Sequence, residues 1–287
     1  MPRAATYQTE AIVIKKTKLG EADRILTFFT PELGKVQAVA KGVRRPKSKL
    51  AGHLELLTHS NVLLVKGRSL DTITGCQAIE SFLPLKSDLE LCACALYATE
   101  IVNQFGVDRQ ENRAMFTLLL DLMRQLSRKD GSRQSDVLLR YFEIHLLHAV
   151  GYEPQLQQCV VCREPLALTN AYFSVSAGGA VCEKCRHTQP YTYPVSSSSL
   201  GIMRSLQAGD WSSAHQIEAE ARVYRETEFL LRNYLRYLLD RDIRSAGWLD
   251  SLRAADRRRN SAGGTSYATS DDTAVRETLL PSNPSPF

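Results

Sequence analysis

The first 80 residues follow a short-period pattern of apolar and polar positions. Apolar or alternating stretches recur at Glu10–Lys16, Arg24–Phe29, Lys35–Ala40, Leu54–Val65 and Ser69–Ile79. Turn signals separate them: Leu19-Gly20, Pro31-Glu32-Leu33-Gly34, Lys41-Gly42 and Lys66-Gly67-Arg68-Ser69. Alternation punctuated by glycine and proline predicts strands joined by turns. Five strands over residues 1–80 suit a small Greek-key barrel of the OB type. A plain antiparallel sandwich has the same strand count, and spacing alone does not separate the two.

From Ser87 the period becomes helical. Ser87-Asp88-Leu89-Glu90 reads as a capping box, with the serine oxygen and the glutamate carboxylate each placed to meet a free backbone N–H. Leu89, Cys92, Leu96, Thr99 and Val102 then fall on one helix face. A second helix is predicted over Glu111–Arg128 and a third over Ser135–Val150, stopped by Gly151. Residues 155–195 break this pattern with cysteines, glycines and aromatics and carry no helical stripe. Helix resumes near Ser199–Leu206, and the most strongly patterned helix of the chain is predicted over Ala221–Ser245. Beyond Leu249 the chain is rich in Ser, Gly, Asp and Arg, too polar to bury surface that would offset its ordering entropy.

The expected organisation is therefore α+β and multidomain. An N-terminal OB-fold barrel spans residues 1–80, and a helical bundle comes in two parts, 81–154 and 196–250. A four-cysteine module, 155–195, is inserted in that bundle, and a disordered tail covers 251–287.

At 44% hydrophobic and 23% charged residues, the composition is that of an ordinary globular protein. The start, MPRAATYQTEAIVIKK, has no uninterrupted apolar segment of the kind secretion requires, and runs such as Val62–Val65 are far too short to span a bilayer. The expectation is a cytoplasmic protein with no membrane association. In that reducing compartment the seven cysteines argue for a metal site and free thiols rather than disulfides.

Cys159-Val-Val-Cys162 and Cys182-Glu-Lys-Cys185 are two CxxC pairs, each able to present two thiolates to one tetrahedral ion. One structural Zn²⁺ is the expected cofactor, with iron in a rubredoxin-like site as the runner-up, because four sulfurs suit either metal. Arg163, Lys184 and Arg186 lie beside the ligands and would offset the site's charge of about −2. Metal binding would drive local folding, at about 10–16 kcal/mol by analogy with zinc-finger peptides. Cys76, Cys92 and Cys94 sit in apolar surroundings and read as buried free thiols.

The net charge of +5 is mild, but its distribution is uneven. Lys35, Lys41, Arg44, Arg45, Lys47 and Lys49 occur with no acidic residue among them. Most lie in a Gly- and Pro-containing loop after a predicted strand. Such a run suits phosphate contact, since arginine binds phosphate through paired hydrogen bonds and lysine as a point charge. A solvated loop is the plainer reading of any charge run; its place on a suspected OB barrel favours nucleic acid. Tyr7, Phe28 and Phe29 are candidate base-stacking residues, although strand aromatics more often belong to the core. Phosphate-binding loops, zinc-protease helices, nucleophile elbows and kinase signatures are absent from the sequence, so no enzyme is expected.

Thr9-Glu10-Ala11-Ile12-Val13-Ile14, Gly20-Glu21-Ala22-Asp23-Arg24-Ile25-Leu26, and Gly34-Lys35 leading into Val39-Ala40-Lys41-Gly42-Val43-Arg44-Arg45 resemble the RecO recombination mediators of bacteria. The order of barrel, helices, cysteine module and helices is similar too, over about residues 5–248. The resemblance implies binding of single- and double-stranded DNA, annealing of complementary strands, and partnership with RecR. It also implies help in loading RecA onto strands coated by single-strand-binding protein, on the bacterial nucleoid. By motif match, Arg24, Lys41, Arg44 and Arg45 would contact DNA. The family docks the acidic, apolar tail of single-strand-binding protein on its helical domain, for which Arg124, Arg128 and Arg140 are candidates. Two rivals remain at this point: an RNA-binding factor in translation or transcription, and a scaffold whose basic loop binds an acidic protein.

Overall fold

A computed structural model describes residues 5–128, 130–166 and 171–262. Five strands, β1 (Thr6–Leu19), β2 (Asp23–Thr30), β3 (Gly34–Ala40), β4 (His59–Val65) and β5 (Asp71–Glu80), form a closed barrel in the order β1-β2-β3-β5-β4. All neighbours are antiparallel except β3 and β5, whose short parallel pairing (Ala38 with Asp71, Val39 with Thr72) closes the ring. Closure decides between barrel and sandwich. Ala11, Val13, Leu26, Phe28, Val36, Ala38, Val62 and Leu64 fill the interior.

The predicted strand Leu54–Val65 begins late. Ala51–Leu54 forms a 3-10 turn, and Leu57 takes a left-handed backbone (φ +57°) that a pleated strand does not accommodate. This break lets Leu54 turn into the barrel while Leu57 faces the helices.

The helical body comprises α1 (Leu83–Ser87), α2 (Leu89–Phe105), α3 (Arg113–Leu126), α4 (Gly131–Ala149), α5 (Ser197–Ala208), α6 (Trp211–Ala214), α7 (Ala221–Leu239) and α8 (Arg244–Ala262). The α2 cap is Asp88, not Ser87: its carboxylate accepts from the N–H groups of Glu90 and Leu91. Ser87 instead ends α1, its hydroxyl donating to the Pro84 carbonyl. Helix α7 stops at Leu239, because Asp240 adopts a left-handed conformation (φ +49°) and turns the chain into α8.

The barrel docks on α2 and α3 through its outer face. Ile12, Ile14 and Phe29 point away from the interior and join the helical core. Gly106 ends α2 where a Cβ atom would meet the Phe29 ring at 2.9 Å, so only glycine permits this approach. A second tie lies at the barrel rim. The buried carboxylate of Asp71 accepts from the Tyr7 hydroxyl, the Arg109 guanidinium and, at 3.1 Å, the Gly67 N–H. Burial alone would raise the Asp71 carboxyl, but these three donors outweigh it and hold it below its ordinary value. Burial and the adjacent Asp71 push the Tyr7 phenol up to about 12.

The second half of the helical body is fastened by buried charge. Arg140 is 1% exposed and meets the fully buried Glu143 at 2.8 Å, while Tyr97 donates to the same carboxylate. Arg253 on α8 is also buried, 2.6 Å from Asp136, 3.2 Å from Glu228 and 3.4 Å from Glu90. Two expectations are thereby corrected. The chain does not become disordered at residue 251: α8 runs to Ala262, held by the fully buried Leu249 together with the Arg253 ion pairs. The expected tail beyond it, 263–287, lies outside the described residues. Arg140 is sealed in the core and is no docking residue for a partner.

Arg140→Ala is expected to cost about 3–5 kcal/mol, because it strands Glu143 as an uncompensated buried charge. Urea unfolding would measure this, and a loss under about 1 kcal/mol would contradict the buried pair. Asp71→Asn is expected to cost about 2–3 kcal/mol at neutral pH. The folded carboxyl is depressed, so its stabilisation is complete above the unfolded value and lost as pH falls through the folded one. The gap between wild type and Asp71→Asn in unfolding midpoint should therefore hold above about pH 5 and narrow as pH falls below the ordinary carboxylate range.

Candidate nucleic-acid interface and metal centre

The basic loop, residues 41–50, is held rather than floating. Gly42 takes φ +64° and its N–H donates to the Asp23 carboxylate at 2.6 Å, while the Arg44 N–H donates to the Ala22 carbonyl at 3.0 Å. Val43 is buried and joins the barrel core. These contacts dock the loop on the β1–β2 turn and aim its charges outward. Lys41, Arg44, Arg45, Lys47 and Lys49 are all exposed, and among the described residues none pairs with a carboxylate. Arg24 lies half-buried beside them, lining a small cavity of about 170 Å³ with Lys16 and Arg44.

Lys35 does not join this group. Its ammonium lies on the other side of the strand, donating to the Asn103 carbonyl at 3.2 Å near the C-terminal end of α2 and sitting 3.5 Å from Asp108. A helix C-terminus concentrates free carbonyls and partial negative charge, which is what draws the lysine inward. The aromatic candidates are corrected as well. Phe28 and Phe29 are completely buried, and Tyr7 is engaged with Asp71 and Arg109.

One cation absent from the sequence-level set stands with the loop. Lys18, exposed, is the cross-strand partner of Arg24. The signal was present: the tight turn at Gly20 sets Leu19 opposite Asp23, and therefore Lys18 opposite Arg24. On the helical body, Arg124 is occupied by Glu80 (2.5 Å) and Asp121 (3.4 Å), while Arg128 is exposed 3.6 Å from Asp130.

The four-cysteine module contains three strands the pattern did not predict, β6 (Ala171–Ser174), β7 (Gly179–Cys182) and β8 (Thr192–Val195), in the order β7-β6-β8. Four residues each are too few to set up a readable period. The first knuckle turns through Arg163, whose φ of +66° lets its N–H return to the Cys159 carbonyl at 2.9 Å. Cys182 ends β7, and a 3-10 turn over Glu183–Thr188 carries Cys185 back towards it.

The four sulfurs lie within 4.8 Å of one another, with Cys162 and Cys182 3.8 Å apart. A tetrahedron with metal–sulfur bonds of about 2.3 Å has edges of about 3.8 Å, so the donor set fits one four-coordinate ion. The electrostatics agree. Burial raises the Cys159 thiol, but the N–H groups of Cys162, Cys182 and Val161 outweigh it and hold it at about 6. Contact with Cys182 pushes the Cys185 thiol up to about 12. Thiolates this close repel, and a cation among them removes the conflict. Arg186 serves the module in another way: it donates to the Tyr172 hydroxyl at 2.5 Å and packs over that ring.

A barrel with a free cationic edge, joined to a helical body that carries a closed thiolate site, defines a class of binding protein, and comparison with known families gives the class a role. Residues 2–82 match the family model described as Recombination protein O N terminal, and residues 86–246 match Recombination protein O C terminal. Both are models of DNA repair and recombination proteins. The chain belongs to the RecO family. It is 43% identical over 256 residues to the DNA repair protein RecO of Dehalococcoides mccartyi (strain CBDB1), covering 89% of this chain and 100% of the relative. It is 38% identical to that of Roseiflexus sp. (strain RS-1), covering 93% of each chain. Identity to the Bifidobacterium adolescentis protein is 34%, covering 85% of this chain and 99% of the relative. No helix among the described residues is long and apolar enough to cross a membrane.

Complete removal of bound metal by a strong chelator should abolish amide protection at Cys159–Cys162 and Cys182–Cys185 while β1–β5 stay protected. Hydrogen exchange followed by mass spectrometry would read this. Native-like protection at the cysteines in a metal-free sample would show that the fold of the module does not depend on an ion.

Proposed function

We propose that this chain is a recombination mediator that binds single- and double-stranded DNA and anneals complementary strands without a catalytic step. One observation carries the reading: a loop fixed to the barrel aims Lys41, Arg44, Arg45, Lys47 and Lys49 at solvent, and among the described residues none of them pairs with a carboxylate. Lys18 and Arg24 extend that surface along the adjoining strands. Two strands repel through their phosphates. A cationic edge that holds both lowers this barrier, and base pairing then supplies the driving force and the specificity. No nucleotide hydrolysis is needed.

With RecR, the protein helps load RecA on strands coated by single-strand-binding protein, in the cytoplasm at the nucleoid. The acidic, apolar tail of single-strand-binding protein docks on the helical body near Arg128; Arg124 is the weaker candidate, because Glu80 already occupies it. The ion at the four cysteines is zinc, which supplies a closed cross-link with no open position for chemistry.

Annealing of complementary oligonucleotides, bare and then coated with single-strand-binding protein, tests the proposal by fluorescence. The wild type should accelerate pairing, and Arg44→Glu/Arg45→Glu should lose the effect with its fold and metal content intact. If about four phosphates are neutralised, log K for a single strand should fall against log salt with a slope near −3. A wild type that binds DNA but never accelerates pairing would end the mediator reading. Tighter binding of RNA than of DNA at equal length would favour an RNA-binding factor, since contacts to the 2′-hydroxyl produce that preference.

A further inference from the structure

Three concave features of the surface are neighbours through shared lining residues. The small cavity beside Arg24 and Arg44 shares Lys16 with a cleft of about 770 Å³ that runs between β1 and α2. That cleft shares Arg241 with a second one, of about 820 Å³, formed by α7 and the strands of the four-cysteine module. The three features therefore mark a path from the basic loop, across the junction of barrel and helices, to the module.

Cations outnumber acids along it. Lys15, Arg241 and Arg244 are exposed along it, and none of the three pairs with a carboxylate among the described residues. Of the acids nearby, Asp240 stands exposed next to Arg241 and Glu55 meets Lys16 at 2.7 Å, while Glu100 and Asp242 are engaged. Glu100 accepts from the Arg244 and Ser245 N–H groups at the start of α8, and Asp242 meets Arg236 at 2.8 Å.

The far end is aromatic. Tyr191 is 65% exposed and Tyr237 46% exposed, their rings 6.2 Å apart, with Tyr193 and the half-exposed Phe229 beside them. Phe229 and Tyr237 lie eight residues apart on one face of α7. Tyr191 is held out by a left-handed backbone, φ +52°, a conformation uncommon for a bulky residue. Large rings kept in water beside free cations are what a single strand requires: phosphates follow the charge and unpaired bases stack on the rings. A duplex keeps its base faces stacked on one another and offers nothing to such a platform.

We propose that single-stranded DNA longer than the barrel site follows this path, past Lys15 and Arg241, and stacks its bases on Tyr191 and Tyr237. The proposal rests on the DNA-binding reading of the barrel loop and adds a second, sequence-tolerant contact to it. A strand held at both ends is stretched between them with its bases turned outward, open to a complementary strand.

The test uses the full chain and oligothymidylates of about 8 and about 30 nucleotides, the shorter within the usual span of one OB barrel. Affinities are read by fluorescence anisotropy for the wild type, Tyr191→Ala/Tyr237→Ala and Tyr191→Phe/Tyr237→Phe. The wild type should bind the longer strand much more tightly than the shorter. The alanine pair should weaken the longer strand by about tenfold or more and leave the shorter unchanged, while the phenylalanine pair keeps wild-type affinity because the rings remain. Ultraviolet cross-linking of a bromouracil-containing long strand should label Tyr191 or Tyr237 in the wild type, which reads the contact without any mutation. An alanine pair with full affinity for the long strand, and no cross-link at either tyrosine, would overturn the proposal and leave the ring cluster to a protein partner. Failure of the wild type to bind even the short strand would instead overturn the DNA-binding reading of the loop.

Discussion

Residues Ala11–Ile14 are buried on both sides, and much of the molecule follows from that constraint. A strand with one wet face alternates apolar and polar residues. Here Ala11 and Val13 pack into the barrel while Ile12 and Ile14 pack against helices, so the two halves of the core share one strand as a common wall. Neither half buries its apolar surface without the other. The shared wall fixes how the barrel sits on α2, and with it the direction of the basic loop and the course of the cleft beside β1. Asp71 repeats the arrangement in polar form at the rim, joining Tyr7 of β1 to Arg109 of the loop after α2.

The helical body answers a different problem. Leucine-rich helices pack in several registers at similar cost, because apolar contact has little directionality. Arg140, Glu143, Glu228 and Arg253 remove that freedom: a buried charge has few positions in which its partners are within reach. The apolar residues supply the cohesion of α2, α4, α7 and α8, and the ions select one arrangement of them. Helix α8 shows both contributions, with Leu249 fully buried in the core and Arg253 in its ion pairs.

What could be read from the sequence was what repeats or what is chemically distinctive. The barrel strands, the stripe on α3 and the cysteine pairs announce themselves through period or spacing. Loop cations at Lys41, Arg44 and Arg45 were visible because nothing acidic interrupts them. Lys35 belonged to the same run, and only the fold shows that its strand turns it towards the end of α2. Arg140 looked like any helix-surface arginine, since neighbours in the chain do not reveal that Glu228, far along the sequence, lies across from it. The strands of the cysteine module were too short to show a period. The end of α8 was hidden for a related reason: composition measures apolar content, and Leu249 and Leu252 are followed by a tie made of ions, at Arg253.

The last point bears on how this chain should be trimmed. A boundary chosen from hydropathy would fall close to residue 250, where apolar residues thin out. Cutting there would remove Arg253 and leave Glu90, Asp136 and Glu228 facing one another with less positive charge between them. Such a shortened protein would carry its defect far from the cut, among α2, α4 and α7. The usable C-terminus for crystallisation or labelling lies beyond α8, and a tag belongs after residue 262.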